Sequence, residues 1–147
     1  MNDSGNQDPS GSNFLDDFMT LLRDCAMPLF EEARHYAQDA GLSVRLELHG
    51  AEKPNPGLCL LVAHPDGHGE GFSHVDGFNS CCITADPAQE KVLHEDFYLD
   101  SNQRRVQRGK LASINEMVLH TRIANFFQSA FGLQPDYIAK QHPAGFW

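Results

Sequence analysis

Nowhere does the chain hold a run of about 18 apolar residues, the length a membrane-spanning helix needs. Its opening stretch, "MNDSGNQDPSGSN", has neither the basic nor the apolar region of a signal peptide. Both absences set the expectation of a cytoplasmic protein with no membrane segment. Basic residues are scarce too: 11 Lys and Arg against 20 Asp and Glu give a formal charge of -9. A surface of that sign repels a polyanionic backbone, so nucleic acid is not an expected partner.

Cys25, Cys59, Cys81 and Cys82 show no Cys-x-x-Cys spacing and are too few for a disulfide scaffold. The expectation is reduced thiols buried as small apolar residues. Cys81 and Cys82 adjoin in an expected strand, so their side chains point to opposite faces and should neither chelate one metal nor bridge each other. Also missing are Gly-x-Ser-x-Gly, Gly-x-x-x-x-Gly-Lys, and Gly-x-Gly-x-x-Gly between a strand and a helix. Nucleophile-elbow, P-loop and dinucleotide chemistry therefore have no carrier here.

What the chain does contain is a succession of periodicities that fits one domain in 147 residues. Residues 1–13 are polar and rich in Ser, Gly and Asn, the composition of a disordered tail. From Phe14, apolar residues recur at steps of three and four through Phe18, Leu21, Leu22, Cys25, Leu29, Ala33, Tyr36 and Ala40, one side of a long helix. Ser12 or Asn13 can cap its start, Gly41 suits its end, and Pro28 predicts a kink or break near Ala26. "LSVRLELH" alternates as a half-buried strand does, and the almost wholly apolar "LCLLVAH" suits a central strand. Asp76-Gly77 within "GFSHVDGFNSCCITA" is the strongest hairpin signal, and "EKVLHEDFYL" reads as a fifth strand. All links among these strands are short, which predicts antiparallel neighbours.

"SNQRRVQRGKLA" reads as a polar connection, and Ser113-x-x-Glu116 as the capping box of a last helix that ends at Gly132. Residues 133–147 follow as an aperiodic tail with Tyr137, Ile138, Phe146 and Trp147. The expected architecture is α+β: a long N-terminal helix, a four- or five-stranded antiparallel sheet and a C-terminal helix within residues 14–132, both helices packed on one face. The last helix carries Ile114, Met117 and Val118 on one side and Leu119, Ile123, Phe126, Phe127 and Ala130 on the other. It needs two coverings, and a homodimer is the expected way to supply the second. In size and acidity the chain resembles bacterial secretion chaperones. Those place a helix between strands where this chain has "HPDGHGEGFSH" and a hairpin, and the resemblance stops there.

"HPDGHGEGFSH", residues 64–74, is the densest group of chemically active side chains. His64, Asp66, His68 and His74 could supply the three or four ligands that zinc or a similar metal takes. His64 and His68 have the spacing of a metal pair on a helix, but Pro65, Gly67 and Gly69 disfavour a helix, and Pro-Asp-Gly makes an ordinary turn. The preferred reading is a loop with solvated histidines; the alternative is a small metal- or ligand-binding enzyme or sensor. His94, Glu95 and Asp96 alternate along a strand and read as surface residues of a half-exposed sheet. Arg104, Arg105, Arg108 and Lys110 form the one basic cluster, a candidate contact for an anion or an acidic partner. The leading expectation is a non-enzymatic binding or adaptor protein that engages a protein partner through an exposed sheet face or the C-terminal helix.

Replacing His64, His68 and His74 together with Gln is expected to shift the melting temperature little, because exposed substitutions stay within about ±0.5 kcal/mol each. Zinc titrated against the wild type should give no saturable rise; a ligand at 100 times its Kd would add about 2.7 kcal/mol. A zinc-dependent rise that the triple variant loses would establish the metal reading instead.

Overall fold

Apolar spacing builds the first element as expected, and proline decides its shape. In the computed structural model, which describes residues 9–65 and 77–141, α1 spans Pro9–Leu21 and α2 spans Met27–Asp39, joined without a break by a π-helical turn at Leu22–Ala26. α1 is already helical upstream of the Ser12 and Asn13 expected to cap it. The wide turn answers the kink expected near Ala26. In a regular α-helix the ring of Pro28 would collide with the carbonyl four residues before it. Here the Met27 N–H reaches back five residues to the Leu22 carbonyl, and Pro28 falls in the first turn of α2, where its missing N–H leaves no bond unmade. Gly41, at φ 85°, closes the helix in the left-handed conformation.

Five antiparallel strands follow in chain order: β1 (Ser43–His49), β2 (Gly57–Ala63), β3 (Asn79–Asp86), β4 (Lys91–Tyr98) and β5 (Gln103–Gly109). The sheet is a simple meander, so β1 and β5 are its edges. The count agrees with the sequence and the membership does not: the connector "SNQRRVQRGKLA" contains β5, paired with β4 from Val92↔Gly109 to Tyr98↔Gln103. Asn102 makes the turn into it at φ 54°, a conformation Asn tolerates, and its N–H reaches the Leu99 carbonyl at 3.1 Å. The Asp76-Gly77 hairpin falls largely outside the described residues, which resume at Gly77.

Both helices lie on one face of the sheet. Leu58, Leu60 and Val62 of β2, Cys81, Ile83 and Ala85 of β3, and Val92 and Tyr98 of β4 meet Phe18, Leu22, Phe30, Leu119, Ile123, Phe126 and Phe127 in one core. Among the described residues the opposite face carries a small cluster, Leu61, Ala63 and Phe78 with Cys59 beside it.

α3 (Glu116–Phe131) ends at Gly132, φ 67°, as expected, but starts differently. Its cap is Asn115, whose Oδ1 accepts the Val118 N–H at 2.9 Å. Ser113 sits instead in a 3-10 turn, Leu111–Ser113, and bonds elsewhere. The two-sided apolar pattern of α3 is largely absorbed within the chain. Ile114 is buried, Val118 half-buried, and only Met117 stands out at 50% exposure. A short α4 (Asp136–Gln141) gives the tail a structure its sequence did not announce, burying Ile138 in the core and setting Tyr137 against Tyr36.

Asn115→Ala should cost about 1 kcal/mol, the usual loss for an N-cap, while Glu116→Gln should be near neutral. Urea denaturation of the two variants checks this; equal losses would restore the Ser113–Glu116 box.

Candidate functional site

The basic cluster proves to be an edge strand rather than a connector. All of Gln103–Arg108 is exposed, and alternation divides the side chains between two faces. Arg104 projects on the helix-free face and pairs with Glu95 of β4 at 3.0 Å. Arg105 projects on the helix side, its guanidinium 6.0 Å from the Tyr98 ring centroid. Arg108 borders a cleft described below, and Lys110 offers its carbonyl to Ser113 Oγ at 2.6 Å. Three arginines on one rim of so acidic a chain form a local field of opposite sign.

Between the helix-facing side of β5 and α3 runs a trough in two parts. One, of about 350 Å³, is lined by His94, Arg108, Ser113, Val118 and Asn125 among others. The other, of about 470 Å³, lies over Asp96, Tyr98 and Arg105. Arg122 and Gln107 line both, and Arg122 Nη1 donates to Gln107 Oε1 at 3.1 Å across the trough. The floor corrects the sequence reading: His94 and Asp96 are 2% and 6% exposed, core residues and not surface ones. A usable signal existed. Val92, His94, Asp96 and Tyr98 share parity along β4, and the apolar ends of that series mark it as the covered face.

The floor is wired in a fixed direction. Ser113 Oγ donates its one hydrogen to the Lys110 carbonyl. Its contact with His94 Nε2, at 2.9 Å, must then run from nitrogen to oxygen. His94 Nδ1 is left as a buried acceptor with no partner. Burial, then the Arg122 charge, lowers the His94 pKa to about 4, so the ring is neutral. Asp96 lies 3.4 Å from Arg122 Nη2 and accepts from the Tyr98 hydroxyl at 3.2 Å. Burial nevertheless raises the Asp96 pKa, with Arg122 opposing, and burial together with Asp96 pushes Tyr98 up to about 12. This set does not make a nucleophile. A serine that spends its hydrogen on a carbonyl, beside a histidine that donates to it, lacks a base to activate it. What the trough presents is the Arg122 guanidinium, held between Gln107 and Asp96.

Of the histidine-rich stretch only His64 and Pro65 are described. His64 is exposed, its ring edge-on to Phe131 at 5.0 Å; Asp66, His68 and His74 lie outside the described residues. Among the described residues no three His, Cys, Asp or Glu side chains are grouped to hold a metal ion. The reduced-thiol expectation is corrected for one pair: Cys59 and Cys82 face each other across β2 and β3, Cα atoms 4.1 Å apart, and form a disulfide. Antiparallel register brings them opposite one another, which spacing along the chain does not reveal. Cys25 and Cys81 are free. Among the described residues no helix is long and apolar enough to cross a membrane. Comparison with protein families, with characterised proteins and with solved structures finds no match for this chain.

Because the folded pKa of His94 is depressed below its ordinary 6.5, the unfolded chain binds the extra proton first. The contribution of His94 is complete above pH 6.5 and is lost as pH falls toward 4, by about 1–2 kcal/mol after allowance for screening at the trough. Urea denaturation at steps between pH 7 and 4 should show a shallower slope in His94→Gln than in wild type. Parallel slopes would refute the assignment.

Proposed function

We propose that the protein is a non-enzymatic binding or adaptor protein, a homodimer, that engages an extended acidic segment of a protein partner along β5 and the trough between β5 and α3. The observation that carries this is the exposed arginine edge of β5 on a chain of net charge -9. An edge strand offers unpaired backbone donors and acceptors to an incoming strand. Arg104, Arg105 and Arg108 favour acidic side chains on that strand and disfavour basic ones. The trough beside the edge offers Arg122 to an acidic side chain reaching inward.

A cytoplasmic location is part of the proposal and fits the free Cys25 and Cys81 thiols. The Cys59–Cys82 bond would then be a reversible one, since permanent disulfides belong to oxidising compartments.

A fluorescein-labelled peptide of alternating Glu and Val provides the test by anisotropy. Saturable binding that weakens with added salt is expected, with about a tenfold loss in Arg104→Glu/Arg108→Glu, the sum of two surface charge pairs near 0.7 kcal/mol each. Absence of binding, or equal binding by the double variant, would overturn the reading.

A further inference from the structure

The two edges of the sheet, β1 and β5, are protected to very different degrees. Were β5 to pair antiparallel with a copy of itself about its middle residue, Val106, Arg104 would stand opposite Arg108 twice. Like charges directly opposite are destabilising, so β5 rejects its own kind. β1 has no Lys, no Pro and no bulge. Its seven residues pair one to one with β2 from Ser43↔Ala63 to His49↔Gly57, which leaves an unbulged outer row of backbone groups. α2 packs over this strand and still leaves it unfinished: Val44 and Leu46 are half-buried, and Leu48 is 54% exposed.

The sequence of β1 reads as a self-complementary edge. In an antiparallel pair the facing side chains point to the same side of the sheet, so a two-fold axis through it must pass between identical residues. Centred on Arg45 it would set arginine on arginine; centred on Glu47, glutamate on glutamate. Centred on Leu46 it pairs the whole strand: Leu46 with Leu46, Val44 with Leu48, Ser43 with His49, and Arg45 with Glu47 in both directions. Facing Cβ atoms in such a ladder lie about 4.5–5.5 Å apart, within reach of an arginine–glutamate pair. Arg45 and Glu47 already meet within one strand at 2.9 Å, so both side chains turn to the same face as the partner's would.

We infer that a second copy of this chain docks antiparallel on β1 about Leu46, joining two five-stranded sheets into one continuous sheet. Val44, Leu46 and Leu48 of each copy cover those of the other on the helix side, and the arginine–glutamate pairs lock the register on the opposite face. The inference rests on the homodimer reading and deepens it by naming the seat, which the sequence had placed on the last helix.

Sedimentation velocity on the full chain tests it. The wild type is expected to be a dimer. Arg45→Glu and Glu47→Arg should each weaken association at least tenfold, because each sets like charges opposite twice. The doubly swapped variant should regain the dimer, and an equimolar mixture of the two single variants should form a heterodimer, since their edges complement each other. Leu48→Lys, at a position exposed in the single chain and so tolerated by folding, should also weaken association. A wild-type dimer that persists in all three single variants, or a mixture of folded charge variants that stays monomeric, would overturn the β1 seat and leave the homodimer reading standing. A wild-type monomer at every accessible concentration would overturn both.

Discussion

A five-stranded sheet has two faces and two edges, and among the described residues the helices cover one face of it. Everything else in the molecule follows from that arrangement. The α1–α2 helix and α3 lie side by side over β1 to β4, and the aromatic side chains Phe18, Phe30, Phe126 and Phe127 fill the space beneath them. Such packing removes large rings from water, the dominant favourable term in folding. The helix-free face and both edges must then be made compatible with solvent by polar residues, or with another chain by complementary ones. β5 takes the first course with arginines, and β1 carries an order of residues that complements itself; the two proposed interfaces rest on that contrast.

What could be read from the sequence was whatever depends on neighbours along the chain. Phe14 to Ala40 announced a helix because their spacing matches its turn, and Pro28 announced the disturbance just before it. "LSVRLELH" announced β1 by alternation, and Gly41 and Gly132 announced two helix ends. What escaped depended on neighbours across space. Gln103–Arg108 of β5 are exposed, so the strand has no apolar parity to betray it, and its arginines resemble a loop. The burial of His94 and Asp96 depends on α3 lying above them and on Arg122 reaching down from it. Ser113 looked like a cap because Glu116 follows at the right interval, yet Asn115 captured the helix start and freed Ser113 to hold His94.

The buried polar group beneath α3 also limits what chemistry Ser113 can perform. An aspartate, an arginine and a neutral histidine in one apolar setting suggest a catalytic centre until the hydrogens are assigned. Ser113 donates outward and His94 donates to Ser113, so no proton acceptor faces the serine. The same assignment leaves His94 Nδ1 buried without a partner, and the Arg122 guanidinium is the charged group that lines the trough.

The Cys59–Cys82 bond joins two central strands whose connecting segment holds the whole histidine-rich stretch. With a separation of 23 residues, the bond closes that segment into a covalent ring. A protease that cut once anywhere within the ring would not release a fragment: both pieces would stay tethered through sulfur, and strands β2 and β3 would remain held in register. The stretch richest in chemically active side chains is thus the one whose backbone can be severed without dividing the molecule, for as long as the two sulfurs stay joined.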